Sequence, residues 1–313
     1  MNKKKGLLIG LVFGIILLLT AGWLLFHNWQ LNLAKHPPSA PTELKAEVIS
    51  ATEIQLKWKD VNNEQGFKLY RDGVEIADLP KNSRKYLDSG LKPATTYTYE
   101  IQAYNQAGIS TKTKTSSKTK NPPIMVRIDK IGVYDKGEDI LREYELKGLL
   151  PSYTGYGEVY VGIIVTDGKR TQTYHLPLKG SYYKLRDNDT IQVSLQLFNT
   201  PEIADYLGIA IVAYEKDGGG VENLLYQALG TVVNSYIGPI PSAIFTASGV
   251  SFATIISDIC GADDDYLGSY QQNWTSLDNW GVGKYNDITC VEANNKPGFR
   301  FWLTIESPLI DAK

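Results

Sequence analysis

The chain has 313 residues and a mass of 34.8 kDa, room for about two domains. Its 43% hydrophobic and 21% charged content is that of a globular protein and excludes wholesale disorder or a collagen-like repeat. With 32 basic against 34 acidic residues the net charge is −2, which gives no electrostatic reason to expect nucleic acid as a partner.

Lys3, Lys4 and Lys5 form a basic stub over residues 1–5, followed by an uncharged apolar run over 6–26. Such a run is long enough to cross a hydrocarbon core of roughly 30 Å as a helix. It exceeds the usual apolar core of a cleavable signal peptide, about 7–15 residues, and lacks a good small-x-small site. The expectation is an N-terminal transmembrane signal anchor over 6–26. The lysines stay in the cytoplasm and the later domains are extracytoplasmic, as in a single-pass membrane protein. Residues 27–40, with Pro37 and Pro38, read as an extended linker.

From Thr42 the sequence alternates with a period of two through Leu44, Ala46 and Val48, then Ile54, Leu56 and Trp58, then Phe67 and Leu69. Asp72-Gly73 follows as a tight-hairpin signal. Next come Leu91-Lys92-Pro93-Ala94-Thr95-Thr96-Tyr97 and Ala103-Tyr104-Asn105-Gln106-Ala107-Gly108. An opening proline, a tryptophan on the second strand, Leu-x-Pro-x-Thr-x-Tyr and Ala-x-Asn-x-x-Gly together resemble a fibronectin type III domain over about residues 38–121, with the domain itself placed at 41–121. The resemblance implies that Trp58 fills the core between two sheets. It also implies that Tyr97 is a tyrosine corner whose hydroxyl ties back to the backbone near Leu91. Gln106-Ala107-Gly108 stands where the family carries an integrin-binding Arg-Gly-Asp loop, so no site is expected in this module. Lys112, Lys114, Lys118 and Lys120 read as charges on an edge strand that discourage edge pairing. Asn121-Pro122-Pro123 is a breaker.

The second domain, 122–313, is acidic: Ile124–Lys313 has 15 basic and 24 acidic residues, a net of −9 against +7 before it. Alternating or continuous apolar runs predict strands around 126–133, 159–165, 191–195, 207–213, 288–291 and 299–305, with a hairpin at Asp167-Gly168-Lys169. Between them, 218–261 reads as an insertion. Val221, Leu224, Leu225, Ala228, Leu229, Val232, Val233 and Tyr236 have helical spacing, and an apolar stretch over 243–259 is too short and too rich in Ser and Thr for a second span. Cys260 and Cys290 lie in the exported part, where a disulfide is the economical reading and two buried thiols the alternative.

Three acidic clusters fall at strand ends: Asp135, Glu138 and Asp139; Glu215 and Asp217; Asp263, Asp264 and Asp265. Calcium takes six to eight oxygens, and no single loop here supplies them, so convergence of these loops is the expected metal site. With the insertion removed, Leu-x-Ile-x-Ile-x-x-x-Glu-x-Asp and Asp-Asp-x-Leu-Gly resemble the third calcium loop of C2 domains. Gly157-Glu158-Val159-Tyr160-Val161 looks like the Asp-Pro-Tyr-Val that follows that family's first loop, with Glu and Val in place of Asp and Pro. The resemblance implies Glu215, Asp217 and Asp264 as ligands, joined by Asp263 or Asp265 and by Asp135 or Asp139. It also implies a lipid headgroup as a partner.

Enzymatic chemistry has little to stand on. His175 is the single histidine of the two domains and reads as a surface residue, and neither Gly-x-Ser-x-Gly nor a phosphate-binding Gly-x-x-x-x-Gly-Lys occurs. Trp274 and Trp280, with Tyr266, Tyr270 and Tyr285, form an aromatic group suited to stacking on sugars if exposed. The expected protein is all-β: an anchor, a fibronectin type III sandwich and a C2-like antiparallel sandwich with a helical insertion. Its expected role is calcium-dependent binding, adhesion or envelope assembly at the cell surface, without catalysis and without nucleic acid. Its partner would be another surface protein, a glycan or a lipid headgroup. The alternative is a carbohydrate-binding protein or an accessory module of a glycan-active enzyme.

Overall fold

A computed structural model of the chain describes residues 14–26, 36–134, 157–178, 182–186, 188–215, 265–291 and 297–311. The chain divides into two compact units, Met1–Lys120 and Asn121–Lys313. Residues 14–26 are a helix whose side chains are exposed on every side. Among the described residues no helix is long and apolar enough to cross a membrane. The described helix covers the second part of the expected 6–26 span, and 6–13 lie outside the described residues.

The first unit is a two-sheet β-sandwich. Strands β1 (Thr42–Val48), β2 (Glu53–Lys59) and β5 (Lys85–Ser89) form one sheet. The other contains β4 (Val74–Pro80), β3 (Gly66–Arg71), β6 (Thr96–Asn105) and β7 (Gly108–Ile109), with β8 (Thr113–Lys118) also on β6. Alternation does what the sequence pattern requires: Ile54, Leu56, Phe67, Leu69 and Ile101 are fully buried between the sheets. Trp58 is 5% exposed, its ring 5.8 Å from that of Phe67. The expected hairpin joins β3 to β4, with Asp72 and Gly73 at φ 51° and 84° and Arg71 opposite Val74. Two left-handed residues give the twist that antiparallel strands need in a two-residue turn.

The second unit is built on one continuous antiparallel sheet of nine strands. They are β9 (Ile124–Val133), β10 (Gly157–Thr166), β11 (Thr171–Leu176), β12 (Tyr183–Leu185), β13 (Thr190–Thr200), β14 (Tyr206–Glu215), β15 (Asp265–Thr275), β16 (Gly283–Val291) and β17 (Pro297–Glu306). The order is β11-β10-β14-β15-β16-β17-β9-β13, with β12 on β10. This corrects the expected C2-like pair of sheets. The sheet stays continuous because it coils: register slips occur at Ser194 in β13, beside Gly268 in β15 and at Asp287 in β16, all with positive φ. Each extra residue bends its strand and raises the local twist. The two edges thereby meet, and the Tyr174 hydroxyl on β11 donates to the Leu197 carbonyl on β13 at 2.7 Å. The faces turned inward carry Val126, Ile128, Val161, Ile163, Phe301 and Leu303, all fully buried. The expected helical insertion over 218–261 lies outside the described residues.

Candidate functional site

The acidic residues nominated by sequence are distributed by the strand order. β14 runs to Glu215 and β15 starts at Asp265, and these two residues are direct partners across the ladder. The intervening chain, 216–264, therefore leaves and returns at one point of the sheet. Val133 at the end of β9 and Gly157 at the start of β10 lie at that same end, through the pairings Val133↔Phe299 and Val159↔Glu215. The connections that carry Asp135 and Asp139, and Asp217, Asp263 and Asp264, thus depart from one end of the sheet, but those residues lie outside the described ones. Glu215 is 3% exposed. Among the described residues no group of three or more His, Cys, Asp or Glu could hold a metal ion.

Aromatic rings gather at the same end. His175 is 3% exposed, not a surface residue, and its ring centroid is 5.7 Å from that of Tyr160, which stands edge-on to Tyr182 at 6.4 Å. Tyr214 and Tyr266, on adjacent strands, are 5.5 Å apart. The expectation of a surface residue put His175 at a strand end beside Pro177, whereas the Thr171–Leu176 strand carries the side chain inward.

Trp274 and Trp280 are buried, at 7% and 3% exposure, so neither offers a face to a sugar. A short 3-10 turn, Ser276–Gly281, turns them in. Thr275 caps it, its hydroxyl accepting from the Leu277 amide at 3.3 Å while Asp278 accepts from the Thr275 amide at 3.2 Å. Asn279, Trp280 and Gly281 are all left-handed, with φ of 52°, 50° and 72°. The ring of Trp274 packs where a Cβ on Gly281 would fall, 2.6 Å away, and lies 5.5 Å from Tyr285. Tyr270, expected in the same exposed group, packs on Phe301 at 5.1 Å. Of the unit's three tryptophans only Trp302 keeps part of its surface open.

The expected bridge of Cys260 to Cys290 is not found: Cys290 is a free, buried cysteine on β16, opposite Phe299. Cys260 lies outside the described residues. Burial disfavours the thiolate of Cys290 and pushes its thiol pKa far up.

In the first unit the polar groups serve the sandwich. The Lys92 amide donates to the Tyr97 hydroxyl at 2.9 Å, the tie expected of the tyrosine corner. Asp88, 4% exposed on β5, accepts from Arg71 at 2.9 and 3.0 Å and from the Tyr99 hydroxyl at 2.8 Å, so one carboxylate joins the two sheets. Burial first, and then the bond to Asp88, pushes the Tyr99 hydroxyl far up from its ordinary value. Lys112 and Lys114, at the entry to the edge strand β8, both pair with Glu100 on β6.

Residues 39–119 match the family model of the fibronectin type III domain. An alpha-amylase of Niallia circulans is 36% identical over 74 residues, 23% of this chain and 6% of the amylase. Chitinase C of Streptomyces lividans is 25% identical over 186 residues, 48% of this chain and 29% of the chitinase. Exochitinase 1 of Streptomyces olivaceoviridis is 33% identical over 87 residues, 25% of this chain and 14% of the exochitinase. The chain thus spans less than a third of the length of each of these relatives. The solved structure of FN3tt mut is 25% identical, with 26% of this chain and 96% of that one covered and a TM-score of 0.25. With the Trp58 core, the Tyr97 corner and the sheet order, residues 39–119 are a fibronectin type III domain, a non-catalytic module.

Proposed function

We propose that the chain is an exported, membrane-anchored glycan-binding protein, in which the fibronectin type III domain spaces a nine-stranded unit that carries the binding surface. The observation that supports it most is the company the domain keeps: it recurs in an alpha-amylase and two chitinases, proteins whose names are those of glycan-active enzymes. The matches cover 6–29% of those proteins, so they support the module and not the activities. Binding and adhesion at the envelope is the broader form of the same reading.

The anchor rests on two features. Lys3–Lys5 precede the apolar run, and the helix over 14–26 exposes Ile15, Leu18, Trp23, Leu25 and Phe26 without a polar face. A helix that is apolar all round belongs in a core or a membrane. The proposal does not draw on calcium, since Asp135, Asp139, Asp217, Asp263 and Asp264 lie outside the described residues.

The test is sedimentation of the detergent-solubilised full-length chain with insoluble chitin, cellulose and starch, with a parallel assay for released reducing ends. Depletion of the protein from solution without reducing-end release is the expected result. Turnover of one of these polysaccharides, or no depletion on any of them together with no binding to a soluble acidic polysaccharide, would overturn the reading.

A further inference from the structure

Strand β17 alternates so that Phe299, Phe301, Leu303 and Ile305 face the core, and this places Arg300 and Trp302 on the other side of the sheet. A tryptophan in the middle of a polar face, partly open to solvent, contributes nothing to that core. Around it the face is basic. Lys130, the partner of Trp302 across the ladder, holds its ammonium 3.8 Å from the ring centroid, and among the described residues it has no ion pair. Arg300 lies opposite Gly132, where a Cβ would come within 3.1 Å of its Nε, so the missing side chain lets the guanidinium lie flat on the sheet. There it stacks 4.5 Å from Tyr134 and 5.6 Å from Trp302. The Asn188 carbonyl, accepting at 3.0 Å, and an ion pair with Asp287 at 3.7 Å hold it in place, with its side chain 15% exposed. Asp129, another carboxylate of this face, is committed to Arg127 and Thr304, both at 2.5 Å, and Glu306 stands at the end of the strand beside Arg127.

We propose that the outer face of β9 and β17, centred on Trp302 with Arg300 and Lys130, binds a carboxylated glycan. The ring of Trp302 stacks on the apolar face of one sugar, and Lys130 and Arg300 take the carboxylate. An aromatic ring supplies the stacking plane, a guanidinium held by Asn188 and Asp287 supplies a fixed positive charge beside it, and a lysine supplies a mobile second cation that leaves the ring when the sugar arrives. Although the unit as a whole is acidic, charges beyond about 8–10 Å are screened at physiological salt, so the local cations decide recognition. The inference rests on the glycan-binding reading and narrows it to one surface and one ligand class.

The probe is soluble polygalacturonate, with amylose as the neutral comparison, titrated against the full-length chain in detergent. Polygalacturonate should bind more tightly, and its affinity should fall as salt rises. Trp302→Ala should weaken it about tenfold or more. Lys130→Gln, a change at a partly exposed side chain, should weaken it several-fold and reduce its salt dependence. Polygalacturonate binding that survives both substitutions, or amylose bound equally well, would overturn this surface while leaving the glycan-binding reading standing. Failure of both polymers, together with no depletion on insoluble polysaccharides, would overturn both.

Discussion

Asp88 joins the two sheets of the fibronectin type III domain from a nearly buried position, satisfied by Arg71 and Tyr99 at the same time. Removing a carboxylate from such a cluster leaves its partners without their acceptor. Asp88→Ala should cost about 3–5 kcal/mol in the unfolding of this unit, and Tyr99→Phe about 1–2 kcal/mol, both by denaturant titration. Equal and negligible losses would contradict the role given to Asp88. Cys290 makes a second residue-scale prediction: in a Cys260→Ser background its buried thiol should react with a thiol reagent only on unfolding, because little thiolate exists in the folded state. Rapid labelling of the native protein would contradict this. Trp58 and Tyr97 were legible in the sequence because each sits in a local pattern that fixes its side of the strand. Trp274 and Trp280 were not: their burial depends on three successive left-handed residues after Thr275, and no alternation rule reports those.

Among the elements, strands with clean alternation or continuous apolar runs were legible, and β9, β10, β13, β14 and β17 lie where the pattern puts them. Strand β15 is absent from the expected strands, because Asp265 opens it and Gln271, Gln272 and Asn273 dilute its pattern. Its place is set by pairing with the apolar β14 over ten register positions, a tertiary effect. The lysines around β8 do more than guard an edge. Lys112 and Lys114 bond the Glu100 carboxylate, and those bonds hold its pKa below the ordinary 4.5. A carboxylate that ionises more readily in the folded state adds stability above its unfolded pKa and loses it as pH falls through the folded value. Glu100→Gln should therefore flatten the acid limb of the stability profile below about pH 4.5, read as unfolding midpoint against pH. An unchanged acid limb would contradict the pairing.

At the scale of the whole molecule, the division into two β units was legible from composition and the Asn121-Pro122-Pro123 break, and the charge split of +7 against −9 marks the same boundary. The nine-stranded architecture of the second unit was not, since bulges at Ser194, Gly268 and Asp287 convert an expected pair of sheets into one coiled sheet. In the proposed function recognition belongs to that unit and spacing to the fibronectin type III domain. Hydrogen–deuterium exchange of the full-length chain with and without saturating polygalacturonate tests this most directly. Added protection is expected in Ile124–Val133, Gly283–Val291 and Pro297–Glu306, with none in Thr42–Lys118. Protection confined to the fibronectin type III strands, or no protection anywhere, would contradict it.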